Sequence, residues 1–267
     1  MGVLQVLGIP VDRALIGAWR DWFAPRVQPF RMDELRADVA DVVPVTSVEP
    51  TMEWVDTFFM YAGTWGWLDE AAFMALRPSQ RIALMAIRRR SVRPKKLVPV
   101  WPSELARAGD EVMFRWVADA VRPSRHREVP AAVWRQAQHV LPDAQRLAGT
   151  FETSGSGPNC FGTVMAAAGV PDTQQVQIGP DRFQSWLDDH TEQVTGTSTD
   201  GEPGIVFVWT EHGKLAHATV TIGDGWMLSK PSQSWSSPRL VRTVRASVHA
   251  WRYPDTRLSR HRIVKRS

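Results

Sequence analysis

IVFVWTEHGKLAHATVTIGDGWMLSK, residues 205–230, is the stretch that decides the fold class. It holds three β-type runs, IVFVWT (205–210), LAHATVTIG (215–223) and WMLSK (226–230), rich in Val, Ile, Thr and aromatic residues. Gly223-Asp224-Gly225 between the last two runs is a hairpin signal, because tight hairpin turns need residues that accept positive φ. In the middle run His217, Thr219 and Thr221 alternate with Ala218, Val220 and Ile222. Side chains alternate across a strand, so one face is polar and the other apolar. A fourth β-type run, RTVRASVHAWRY, is predicted over 242–253.

Working back from the strands, GTSTDGEPG (196–204) has strong turn chemistry and PDRFQSWLDDH (180–190) has a helical pattern. Before them, SGSGPNCFGTVMAAAG (154–169) runs from a loop of small residues into an apolar, Ala-rich helix. The first 150 residues are mainly helical by apolar spacing, over 12–24, 52–62, 68–76, 79–90, 103–121 and 130–148. The expected fold class is therefore α+β, a helical region followed by a Cys-bearing helix on an antiparallel sheet. The expected domains are 1–145, helical and Trp-rich, 146–255, the α+β domain, and 256–267, a basic C-terminal tail.

Composition narrows the functional classes. The 267 residues are 43% hydrophobic and 22% charged, which supports a sizeable core and argues against global disorder. Thirteen Trp against two Tyr point to several core or groove anchors. The formal net charge of +4 is concentrated in Arg88, Arg89, Arg90, Arg93, Lys95 and Lys96, and in Arg257, Arg260, His261, Arg262, Lys265 and Arg266. These read as a solvated loop and a frayed terminus, and no nucleic-acid motif accompanies them. A single cysteine excludes an intrachain disulfide framework and a Cys-rich zinc site. No metal or cofactor is expected. No apolar run is long enough to span a bilayer and the N-terminus does not read as a signal peptide, so a cytoplasmic location is expected.

The lone thiol is the chemical question. Asn159 is a good N-cap, which puts Cys160 at the first helical position, where backbone N–H groups and the helix dipole favour a thiolate. His217 lies near the start of the second β-run and is the candidate proton acceptor. Against this stand two structural readings, a small buried cysteine and an ordinary strand histidine.

Three stretches, in order, resemble the NlpC-type superfamily of papain-like cysteine peptidases and amidases. They are LAGTFETSGSGPNCFGTVMAAAGV (147–170), GEPGIVFVWTEHGKLAHATVTIGDG (201–225) and GWMLSKPS (225–232). The resemblance covers the C-terminal half only. It implies Cys160 as nucleophile, His217 as base and Ser229 at the third, orienting position, with Gln233 as a substitute. The oxyanion donors expected for that chemistry are the Cys160 N–H and the Asn159 side chain, and Trp226 and Trp235, which flank the strand of Ser229, read either as walls of a substrate groove or, for Trp226, as a core residue. The activity the resemblance implies is that of a cysteine-dependent hydrolase or acyltransferase acting on an amide or (thio)ester through the Cys160–His217 pair, a peptidase or amidase first of all, with a peptide-like or acyl small-molecule substrate. Ser229 departs from the family's usual His, Asn or Gln, and Phe151 stands where a Tyr is common. The alternative is therefore a catalytically weakened papain-like binding or scaffold module.

Overall fold

Residues 4–35, 37–44, 48–91, 98–119 and 121–264 are described by a computed structural model. The chain divides into two units, one of residues 1–6 and 11–122, the other of residues 7–10 and 123–267. The cationic positions Arg93, Lys95, Lys96, Lys265 and Arg266 lie outside the described residues. Two short strands open the chain, β1 (Gln5–Val6) in the first unit and β2 (Ile9–Pro10) in the second.

In the first unit, α1 (Arg13–Phe23) starts at Asp12, whose side chain accepts from the Leu15 N–H. Its buried residues Leu15, Trp19 and Phe23 recur every four positions, one stripe of a helix. β3 (Val27–Arg31) follows, then the short helices α2 (Ala37–Ala40) and α3 (Met52–Phe58). β4 (Trp65–Asp69) pairs antiparallel with β3. Asp69 caps α4 (Glu70–Ala75), and α5 (Pro78–Ser91), α6 (Pro102–Ala108) and α7 (Glu111–Ala118) complete the unit.

Its core is aromatic. Phe30 stacks on Phe73 with centroids 5.6 Å apart, and Phe73 meets Trp101 at 5.3 Å. Trp19, Trp67, Trp101 and Trp116 are buried, so much of the Trp content is spent on packing rather than on a surface. Arg88, read from sequence as part of a solvated cluster, is buried as well. It donates to Gln28 Oε1 at 2.7 Å and to the Pro29 carbonyl at 2.8 Å, and its guanidinium lies 3.9 Å from the Phe30 ring centroid.

The second unit contains the short helical turn His126–Glu128, then α8 (Ala131–Ala137), α9 (Ala144–Leu147), α10 (Cys160–Ala167) and α11 (Pro180–His190). The strands are β5 (Thr191–Val194), β6 (Pro203–Glu211), β7 (Lys214–Gly223), β8 (Trp226–Ser229) and β9 (Leu240–Thr243). α12 (Val244–Ala250) and β10 (Thr256–Ile263) end the unit. The sheet has six strands in the order β5-β10-β6-β7-β8-β9, all pairings antiparallel. The class is thus α+β.

Both inner hairpins turn on two residues of positive φ, His212 (48°) with Gly213 (77°) and Asp224 (48°) with Gly225 (71°). This pair of conformations matches the natural twist of a hairpin. One face of the sheet packs on α10 through Val206, Val208, Ala218, Val220, Ile222, Leu228 and Val241. The opposite face carries Ile205, Phe207, Trp209 and Met227, covered by Val244, Val248 and Trp251.

Several sequence-based spans differ from this arrangement. The predicted helix 103–121 is two helices, broken where Gly109 adopts a φ of 78°. The predicted helix 130–148 is interrupted before Pro142. The predicted strand 242–253 is mostly α12, because the Thr243 side chain accepts from the Ala246 N–H and starts a helix there. Residues 123–145 belong with the second unit, since Val129, Val133, Trp134, Ala137 and Leu141 share the core of Cys160.

The expected basic tail is the largest departure. Residues 256–263 form β10, paired on one side with β6 from Thr256↔Glu211 to Arg262↔Ile205, and on the other with β5. Two of its three arginines are answered locally. Arg260 donates to both carboxylate oxygens of Asp200 and lies over the Phe207 ring, and Arg262 pairs with Glu202.

Candidate functional site

Helix α10 begins where the sequence places it. The Asn159 Oδ1 accepts from the Gly162 N–H at 3.0 Å, satisfying one of the unpaired donors of the first turn. Asn159 Nδ2 donates to the Ile178 carbonyl at 2.7 Å, tying the loop before α11 to the start of α10. One of the two Nδ2 hydrogens is committed in this way, and only the second is left for the expected oxyanion role. Gly162 permits the close approach: a Cβ there would lie 2.5 Å from the Thr173 carbonyl oxygen.

Cys160 is a buried thiol that shares its cluster with Phe161, Val164, Ala218 and Leu228. Burial pushes its pKa up from 9.0 to about 11. The backbone N–H groups of Ala218, Phe161 and Cys160, and the charge of Lys230, act in the other direction but are outweighed. A thiolate loses more from leaving water than the helix N-terminus returns to it.

His217 lies in β7, next to Ala218 but pointing the opposite way. Ala218 packs in the cluster of Cys160, whereas the His217 ring stacks on Trp251, with centroids 3.9 Å apart and planes 9° from parallel. Trp209, its cross-strand partner, lies at 5.6 Å. His217 and Cys160 therefore occupy opposite faces of the sheet, and the expected nucleophile–base pair is not assembled. The reason is the pleat itself: an apolar face of Ala218, Val220 and Ile222 pairs with the apolar helix, and this turns His217 away. Burial pulls the His217 pKa from 6.5 to about 3, leaving a neutral ring.

Ser229 is the predicted partner that does reach His217, its Oγ lying 3.5 Å from Nε2 on the same face of the sheet. At that separation the bond is weak. Gln233 is engaged elsewhere. Its side chain accepts from Gln177 at 3.3 Å, and its carbonyl accepts from the Gly157 N–H at 3.0 Å. Trp226 packs against the cluster of Cys160 and lies beneath the Arg125 guanidinium at 4.7 Å, so it is a core anchor with one covered face. Trp235 is fully buried, and its backbone N–H donates to Ser156 Oγ at 3.1 Å. Among the described residues no three His, Cys, Asp or Glu side chains converge as a metal-ligand set, and no helix is long and apolar enough to cross a membrane.

Sequence reasoning missed a group of buried charges around this helix. Lys230 is fully buried, and its ammonium donates to the carbonyls of Ser232 (2.9 Å), Ser234 (3.2 Å) and Ser237 (2.7 Å), pinning the loop that follows β8. Arg239 pairs with buried Glu152 and donates to the Gln174 carbonyl at 2.7 Å. Burial raises the Glu152 pKa, while Arg239 and Lys230 hold it down. Nothing in the run KPSQSWSSPR separates an interior lysine from a surface one; only the carbonyls folded around it do. Trp251, the cover of His217, was hidden in the same way inside a run read as a strand. Compared with family models, with curated proteins and with solved structures, this chain matches none.

Proposed function

We propose that the second unit is a binding module on a papain-like frame in which the thiol and the imidazole no longer act together. The single observation that carries this reading is the placement of Cys160 and His217 on opposite faces of the sheet. Ordered as in the resemblance, the frame has a capped Cys helix, a His-bearing strand and Ser229 on the next strand. Both chemical groups are neutral at pH 7, the thiol with a pKa near 11 and the ring near 3. The loops around the start of α10 carry Gln177 and Gln233, joined to each other by a side-chain hydrogen bond of 3.3 Å, and a peptide-like ligand held there without cleavage would exchange that bond for bonds to its own backbone.

A thiol hydrolase acting on an amide or (thio)ester is the second reading. It is favoured by the three backbone N–H groups and the Lys230 charge that stabilise a Cys160 thiolate. Labelling with iodoacetamide at pH 7 separates the two. For a thiol of pKa about 11, the thiolate fraction is roughly 100-fold below that of the unfolded chain. The native protein should therefore label at least that much more slowly than urea-unfolded protein, and equally slowly in His217→Ala. Fast native labelling that His217→Ala abolishes would restore the hydrolase reading. Cys160→Ala supplies the blank.

A further inference from the structure

Met74 of α4 and Ile82 of α5 are exposed apolar side chains bridged by Arg81, which precedes Ile82 in the chain and reaches the Met74 sulfur, and together they make a small strip that the first unit does not cover. Met74 is 55% exposed and Ile82 is 70% exposed. The inner side of α5 is fixed by buried Leu84 and Ile87 and by Arg88, whose guanidinium is held by Gln28 and the Pro29 carbonyl. The strip is thus presented on a rigid support. Cations border it. Arg77 and Arg89 are exposed, and half-buried Arg81 donates to the Met74 sulfur at 3.4 Å. Among the described residues, none of these three is in an ion pair, whereas Arg90 meets Glu34 at 3.8 Å. The acids at the start of α4, Asp69 and Glu70, keep their charge while accepting from the Ala72 N–H and the Ser103 hydroxyl, and they stand at the opposite end of that helix from Met74.

We propose that this strip docks on an anionic lipid surface. Met74 and Ile82 would enter the boundary between headgroups and acyl chains. Arg77, Arg81 and Arg89 would stay at the level of the lipid phosphates and carboxylates, their stems lying along the apolar strip. Charge complementarity selects an anionic partner, and the two exposed apolar side chains, Met74 in contact with Arg81 and Ile82 next to Arg81 in the chain, select lipid. A nucleic-acid backbone would reward the arginines but gain nothing from Met74 and Ile82, and the strip offers no exposed aromatic ring for bases to stack on.

The test is flotation of the full chain with phosphatidylcholine vesicles, with and without phosphatidylserine, at low and moderate salt. Wild type should float only with the phosphatidylserine vesicles, and less as salt rises. Arg81→Gln with Arg89→Gln should lower the vesicle partition coefficient about tenfold or more, because one arginine at such a surface contributes about fivefold, and Met74→Ser with Ile82→Ser should separately lower it about tenfold or more through the apolar area no longer buried. Circular dichroism checks that both variants fold. Absence of flotation with phosphatidylserine overturns the proposal, as does flotation unchanged in the Met74/Ile82 variant. Duplex DNA or RNA bound equally by wild type and that variant, with vesicles left unbound, would assign the arginines to nucleic acid instead. None of these outcomes bears on the Cys160 labelling, so the two proposals stand or fall apart.

Discussion

His217 is held neutral by the Trp251 ring stacked on it and by the interior around it. Its pKa is lowered from 6.5 to about 3, so the unfolded chain binds the proton more readily. Stability from this residue is present above pH 6.5 and is lost as the pH falls towards 3. At two pH units below the unfolded value the loss is roughly 2–3 kcal/mol. Urea midpoints at pH 7 and at two units below the unfolded pKa, on wild type and His217→Phe, check this. The wild type should lose more on acidification than the variant; equal losses would mean that the ring is solvated. Cys160 has the opposite sign. Its pKa is raised from 9.0 to about 11, so its contribution is present below pH 9 and is lost as the pH rises towards 11. At this scale the sequence showed Asn159 as an N-cap plainly, because capping is local. It did not show Lys230 as an interior cation, because the Ser232, Ser234 and Ser237 carbonyls that hold it converge only after the loop closes.

β10 is the element where composition misleads. TRLSRHRI has three arginines and one histidine among eight residues, and a run of that kind ordinarily stays in water. Its backbone instead joins β5 to β6, and Asp200 and Glu202 from the loop before β6 neutralise two of its cations. Removal of residues 256–267 should therefore abolish cooperative unfolding of the second unit, read by near-ultraviolet circular dichroism during urea titration. A truncated chain that unfolds with the wild-type midpoint would show β10 to be dispensable. α12 is a smaller case. β-branched residues suggested a strand, yet the cap at Thr243 begins a helix whose end delivers Trp251 to His217. Thr243→Ala should cost about 1 kcal/mol, as loss of an N-cap ordinarily does, and thermal unfolding measures it.

For the whole molecule, the six-stranded sheet separates two packed layers, with Cys160 in one and His217 in the other. Groups without shared partners contribute independently to stability, so a double-mutant cycle is diagnostic. Cys160→Ala and His217→Phe should be additive within about 0.5 kcal/mol. A coupling well beyond that would place them in contact and revive the pair. The amino-acid sequence by itself determined the α+β class, the capped Cys helix, the hairpin at Gly223-Asp224-Gly225 and the alternation of β7, because these follow from neighbours a few residues apart. It also contained the fact that decides the chemistry, since His217 and Ala218 must face opposite ways on one strand. Only the tertiary structure decided which of those faces meets α10. Both faces are buried, and each took the cover that suits it: the wholly apolar Ala218, Val220 and Ile222 face met the apolar α10, while the His217, Thr219 and Thr221 face lies under α12 and Trp251, which put the thiol and the imidazole on different sides of the sheet.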